Sequence, residues 1–284
     1  MKYSLIAIDL DGTLLSNEKE VDEYSIKAIR EFEKRGGQVV ICSGRTPLAT
    51  KWIAETLELK SPIISLNGAV THDSSGSLIE KKTFSEESLD EFSSFCSNEN
   101  VYFHAYDGNS LIIPEENTWN ENWIEKNILS LQKTGGSQLL REEFMKECHV
   151  KVIPHIGEWL KERKSISKLA VFSEQNNLRH FKRKVEKISQ DYEIASSMNY
   201  MNLEISPRGA TKGTALETLA SILGIPMAQT AAIGDNFNDI SMLQCAGRGI
   251  AMGNAPDEVK STADQITASN EENGVGKAIY SLIE

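Results

Sequence analysis

The sequence predicts an α/β protein: a doubly wound parallel sheet interrupted by an inserted α/β unit. Three observations carry that reading. Apolar runs at Ser4–Ile8, Gln38–Cys42 and Pro62–Leu66 alternate with amphipathic segments, the βαβαβ rhythm of parallel sheets. Each run ends on residues suited to chemistry: Asp9 and Asp11, then Ser43-Gly44-Arg45, then Asn67-Gly68. The texture changes near Phe84, and the same rhythm resumes near residue 200.

Taken in order, Ser4–Ile8 reads as a buried strand leading into Asp9-Leu10-Asp11-Gly12-Thr13. Two carboxylates at the carboxyl end of a strand suggest a hard cation and a reacting group, since that is where open α/β sheets bind ligands. The same five residues also fit a plain strand followed by an Asp-Gly turn. Asp22–Arg35 predicts a helix with Ile26, Ile29 and Phe32 on its apolar face, closed by Gly36-Gly37. Thr46 caps the next helix, with Pro47 at its first position and Leu48, Trp52 and Ile53 on the buried side.

In the inserted block a helix at Ser85–Ser97 precedes strands near Val101–Tyr106 and Leu111–Ile113. A polar stretch bearing Trp119 and Trp123 follows, then strands at His149–Ile153 and Leu169–Phe172, a basic helix at Leu178–Ile188 and a strand at Tyr192–Ser196. None of these strands ends in a charged or glycine-rich chemical motif of the kind found in the core. The core rhythm returns at Met201–Ile205. Pro207-Arg208-Gly209-Ala210 turns the chain, and Thr211 opens a helix carrying Lys212. Thr230–Ile233 is a strand ending in Gly234-Asp235-Asn236-Phe237-Asn238-Asp239. Gly249–Met252, Gln265–Thr267 and a helix near Gly276–Ile283 complete the chain. The expected division is a core of residues 1–83 and 199–284 with an insert of residues 84–198.

Bulk properties narrow the function. At 284 residues roughly three quarters of the unfolded surface can be buried, so no disulfide or metal staple is required. A net charge of −11 disfavours non-specific binding to nucleic acid or anionic membrane. No apolar run approaches the ~20 residues of a membrane span, and the start of the chain fits no signal peptide. Four scattered cysteines, Cys42, Cys96, Cys148 and Cys245, suit reduced thiols and a cytoplasmic setting. The oligomeric state is not encoded in any recognisable pattern.

The strand-end and helix-start residues together resemble the four motifs of the haloacid dehalogenase superfamily. These are DxDGT at Asp9–Thr13, a strand-end Ser43, a helical Lys212, and GDxxND at Gly234–Asp239. Arg45, Asn67-Gly68-Ala69, the Gly249–Ala255 segment and Asn273-Gly274-Val275 are similar to the Cof-type branch of that superfamily. The resemblance spans both core segments. In the insert it rests on position and size, which suit the α/β (type IIB) cap of this branch over a Rossmann-like core.

The resemblance implies a Mg²⁺-dependent phosphatase acting on phosphate monoesters of small metabolites, such as sugar phosphates or flavin- and pyridoxal-pathway phosphates. It implies that Asp9 attacks phosphorus to form an aspartyl-phosphate and that Asp11 transfers protons. Asp9, Asp235 and the backbone carbonyl of Asp11 would hold the metal, with Asp239 supporting it or holding Lys212. Ser43, Gly44, Lys212 and Asn238 would contact the phosphoryl oxygens, and Arg45 and Asn67 the substrate. Taken singly, Lys212 also fits an exposed helix lysine, Ser43 a turn residue and Asp239 a helix N-terminal charge. Arg45 and Asn67 equally fit loop braces. Cys42 reads as a buried structural cysteine, and the five histidines show no ligand spacing. Two other functions stay open: a phosphomutase of the same superfamily, and a non-catalytic sensor of phosphorylated metabolites.

Overall fold

The structure, a computed structural model, describes residues 1–99, 101–118, 150–163, 165–188, 191–197 and 202–283. The stretch bearing Trp119 and Trp123, Cys148 and His149 lie outside the described residues, as does Met201.

The first sheet has eight strands. β1 (Leu5–Ile8) lies between β12 (Thr230–Gly234) and β2 (Gln38–Cys42), parallel to both. Beyond β2 come β3 (Ile63–Ser65), β4 (Val70–His72) and β5 (Leu78–Lys81); beyond β12 come β13 (Gly249–Ala251) and β14 (Gln265–Ile266). The sheet is parallel from β14 to β3, and the β4–β5 hairpin adds two antiparallel strands at one edge. The apolar-run reading does not anticipate that hairpin, because both strands are short and β5 is only partly buried.

Burial on both faces explains the continuous apolar character of β1. Ile6 and Ile8 point into one core with Ala28, Ile29 and Phe32 of α1 (Glu23–Lys34), Leu48 and Ile53 of α2 (Pro47–Thr56), and Ile279 of the C-terminal helix (Gly274–Ile283). Leu5 and Ala7 point into the opposite core with Leu216 and Leu219 of the helix Lys212–Ile222 and Met242 of the helix Ile240–Cys245. Helices therefore cover both faces.

The second sheet has the order β10-β11-β9-β6-β7-β8, from Tyr192–Ser197, Asn202–Pro207, Lys168–Phe172, Tyr102–Asp107, Ser110–Ile113 and Val150–Val152. Its pairs are antiparallel except β7 with β8. Alternation splits each inner strand between two surroundings. Phe103, Leu169, Val171, Leu203 and Ile205 meet Leu89 and Phe92 of α3 (Glu86–Glu99), and Leu178, Phe181 and Val185 of the helix Gln175–Ile188. Tyr106, Leu111, Ile113, Ala170 and Phe172 instead meet Leu66, Ala69, Val70 and Ala210. The second sheet is thus fastened to the first by an apolar seam.

One expectation is corrected here. Of the segment read as the return of the core rhythm, Met201–Ile205, the described residues Asn202–Ile205 belong to β11 of the second sheet, with Leu203 opposite Val171 and Ile205 opposite Leu169. Its alternation of apolar and polar residues is that of an antiparallel strand with two different faces, unlike the continuous run of β1. The chain leaves the second sheet only at Pro207. Lys82 Nζ, on the outgoing crossing, donates to the Gly209 carbonyl on the returning one at 2.9 Å. Among the described residues no helix is long and apolar enough to cross a membrane.

His104 of β6 is fully buried; its Nε2 lies 3.0 Å from the Tyr102 hydroxyl and its ring packs on Phe172. Burial pushes its pKa down to about 3. Below pH 6.5 the unfolded chain therefore binds a proton that the folded chain refuses, and stability falls as pH falls. Between pH 7 and pH 5, urea denaturation of the native protein should show about 2 kcal/mol more loss of stability than His104→Phe. Parallel losses in the two proteins would refute this account.

Candidate active site

The carboxyl edge of the first sheet gathers residues that are far apart in sequence. β1 delivers Asp9, whose amide continues the parallel ladder by donating to the Ile233 carbonyl at 3.0 Å. Gly12 then turns the chain with φ +84°, and Thr13 Oγ1 donates to Asp235 Oδ1 at 2.8 Å. β12 delivers Asp235 itself. The following turn is closed by Asp239, whose Oδ2 accepts from the amides of Asp235 and Asn236 at 2.9 Å each.

Lys212 opens its helix behind the Thr211 cap and is 0% exposed. Its Nζ donates to Asp9 Oδ1 and to Asp239 Oδ1, each at 2.6 Å. Gly68, at φ +94°, allows the close approach of this helix start; a Cβ there would run into the Thr211 carbonyl. The burial excludes the reading of Lys212 as a solvated surface lysine. A buried ammonium needs opposite charge, and two carboxylates supply it.

The charge balance around Lys212 is uneven. Oxygens of Asp9, Asp235 and Asp239 lie within 4.8 Å of one another, so three carboxylates share one ammonium. Burial, then the charge of Asp239, raises the Asp9 pKa to about 7 against the pull of Lys212. Burial, then Asp9 and Asp239, raises Asp235 well above the usual carboxylate range. Burial disfavours the Lys212 ammonium, yet Asp239 and Asp9 more than offset it and hold its pKa well above normal. A hard divalent cation with oxygen preference fits this donor set, because it would supply the missing positive charge to Asp9 and Asp235. Asp239 is already committed through both oxygens to Lys212 and to two amides.

Asp11 makes its bonds outside that cluster. Its carboxylate takes a two-pronged bond from Arg45, Nε to Oδ2 and Nη2 to Oδ1 at 2.7 Å each, and a third from Lys19 Nζ at 2.6 Å. Partial burial opposes ionisation, but Arg45 and then Lys19 hold Asp11 well below the usual range. Arg45, expected at the substrate, is buried against Asp11 with Nη1 unpartnered among the described residues.

A second network joins the remaining predicted residues. Ser43 is buried, and its Oγ accepts from the Arg45 amide at 3.2 Å. Asn238 Nδ2 donates to Asn67 Oδ1 at 3.1 Å, and Asn67 Nδ2 donates to Glu204 Oε2 at 2.8 Å. Glu204 is paired with Lys168, whose Nζ also donates to the Gly44 carbonyl at 2.9 Å. Cys42, next to Ser43, is fully buried in the core beside Leu216, and burial pushes its thiol pKa far up, which makes it structural.

Sequence reasoning named Thr13 within the DxDGT motif without foreseeing its bond to Asp235, and it missed Lys19, Lys168 and Glu204. A strand pattern in which Glu204 sits between Leu203 and Ile205 was the available signal for Glu204; Lys19 had none.

A family model described as haloacid dehalogenase-like hydrolase matches residues 6–279. Phosphatase YwpJ of Bacillus subtilis (strain 168) is 33% identical, over 98% of this chain and 99% of its own. The 5-amino-6-(5-phospho-D-ribitylamino)uracil phosphatase YwtE of the same organism is 34% identical, over 98% and 97%. A solved structure of a haloacid dehalogenase-like hydrolase from B. subtilis, 33% identical, superposes with a TM-score of 0.84 over 99% of this chain and 100% of that one.

The packing at Gly12 yields a prediction. A Cβ there would lie 2.9 Å from Asp235 Cγ, and its φ is strained for any L side chain. Gly12→Ala should fold, as read by circular dichroism, yet bind divalent cations roughly 10- to 100-fold more weakly by calorimetry. Unchanged affinity would mean that Asp235 takes no part in holding the cation.

Proposed function

The chain belongs to the haloacid dehalogenase-like hydrolase family, and on that premise we propose that it is a Mg²⁺-dependent phosphatase that hydrolyses phosphate monoesters of small metabolites. The observation that carries the reading is the buried set of Asp9, Asp235 and Asp239 around a single ammonium, Lys212. A phosphate monoester is doubly negative, and an anionic nucleophile can reach it only where positive charge is concentrated.

In the proposed reaction an Asp9 carboxylate oxygen attacks phosphorus, the bond to the leaving alkoxide breaks, and Asp11 gives that alkoxide a proton. Water then attacks the aspartyl-phosphate while Asp11 takes a proton back, and the Asp9–phosphorus link breaks to release phosphate. Asp9 Oδ1 is held by Lys212, so its other oxygen is the one suited to attack. Lys212 would neutralise phosphoryl oxygens as a compact point charge while Asp239 fixes its position. Ser43, the Gly44 amide and Asn238 would donate to the same oxygens. Use of Asp11 as an acid requires the contacts from Arg45 and Lys19 to open when substrate binds. Asp9, Asp235 and the Asp11 carbonyl would hold Mg²⁺, which would neutralise charge on the phosphoryl oxygens and orient them.

The second sheet is proposed to act as a cap over this edge, excluding water during the first transfer and selecting the leaving group. Sugar phosphates and flavin- or pyridoxal-pathway phosphates are the proposed substrate class, supported by the similarity to YwtE, which is named for a phosphorylated ribitylaminouracil. Free Cys42, Cys96 and Cys245 support a cytoplasmic setting.

Phosphate release from a panel of phosphorylated metabolites tests the reading. Release should require Mg²⁺, stop on chelation, and fall at least ~10³-fold in Asp9→Asn. Binding of Mg²⁺ and a phosphate analogue without release from any compound would overturn hydrolysis; turnover that appears only with a sugar bisphosphate would assign a mutase instead.

A further inference from the structure

Lys168 and Glu204 form a buried ion pair that the proposed reaction does not use: their side chains are 3% and 10% exposed. They come from neighbouring strands of the second sheet, β9 and β11, yet their partners lie at the carboxyl edge of the first. Alternation explains the placement. Leu169 and Ile205 turn toward the helices, so Lys168 and Glu204 turn the other way.

Each member of the pair fixes a group expected to touch phosphate. Lys168 Nζ donates to the Gly44 carbonyl at 2.9 Å. That carbonyl shares a peptide plane with the Arg45 amide, which donates to Ser43 Oγ at 3.2 Å. Since Ser43 Oγ already accepts there, its own proton is left to be donated outward. Glu204 Oε2 accepts from Asn67 Nδ2, which sets the amide so that Asn67 Oδ1 accepts from Asn238 Nδ2. Asn238 then has its second N–H to offer.

We propose that Lys168 and Glu204 are positioning residues, a cap-borne ion pair that sets the Ser43–Gly44 and Asn238 donors only while the two sheets are seated together. The inference rests on the phosphatase reading above and deepens it: the phosphate-binding half of the site is completed by the second sheet rather than contained in the first. It also separates two roles for the same residues. A pair that contacted the leaving group would affect some substrates and spare others. A pair that sets the phosphate donors affects all esters alike, and affects inorganic phosphate too.

Removing one partner would leave a buried charge uncompensated and threaten the fold. The test therefore uses the double variant Lys168→Met/Glu204→Gln, which removes both charges and keeps an acceptor for Asn67. Unfolding midpoints confirm that it folds; if it does not, Lys168→Arg with the native Glu204 is measured in its place. For the double variant, kcat/KM should fall roughly 10- to 100-fold. The fall should be similar for p-nitrophenyl phosphate, a hexose phosphate and pyridoxal phosphate, with inorganic phosphate in the presence of Mg²⁺ binding more weakly by calorimetry. Lys168→Arg, which keeps the charge but moves the donors, should show a smaller loss of the same uniform kind. Unchanged kcat/KM and phosphate affinity would overturn the proposal, as would a loss confined to one leaving group. Phosphate binding is read without turnover, so a native protein inactive on every ester would sink the phosphatase reading and leave this measurement to decide the positioning role.

Discussion

A fully buried ammonium held between two carboxylates is the constraint on which the rest depends. Lys212 can sit in the interior only because Asp9 and Asp239 meet it there, and those residues can meet it only if β1, β12 and the helix after Thr211 end at one point. The parallel order of the first sheet is what makes that convergence possible. Asp239 carries a double load, since it also satisfies two amides in the turn after β12. A change at any of these positions leaves a charge stranded in a low-dielectric setting, where stranding is most costly.

How much of this could be read from the chain depends on how local each signal is. The strand-to-Asp9 and strand-to-Asp235 transitions are contiguous, and a parallel sheet brings strand ends together whatever lies between them. For that reason the edge positions of Asp9, Ser43, Asn67 and Asp235 follow from sequence with little ambiguity. Arg45 was harder. Its place next to Ser43 puts it at the site, but nothing in the sequence says that its guanidinium grips Asp11, because the side chain chooses among partners in three dimensions. Lys19 lies in a loop without pattern. Lys168 and Glu204 depend on antiparallel register between strands more than thirty residues apart, which no spacing rule reveals. The misplacement of β11 has the same origin: a short apolar stretch looks alike in either sheet, and only its alternation betrays a strand with two different faces.

The two sheets meet through two kinds of contact with different tolerance. The seam around Leu66, Tyr106 and Phe172 is apolar and non-directional, so small shifts cost little. The contacts of Lys168 and Glu204 are directional and buried, so small shifts cost much. Together they let the second sheet find its place approximately by burial and settle it by hydrogen bonding.

The bond from Lys82 to the Gly209 carbonyl bears on how such a seat could open. If the second sheet swings as the proposed cap, two chain crossings tied side by side would act as a pin hinge rather than a ball joint: they would permit swinging about one line and resist sliding or twisting. The widest gap would then form on the side opposite the crossings, giving the cleft a fixed doorway. Lengthening or untying either crossing would loosen the direction of swing before it altered any residue proposed to touch phosphate.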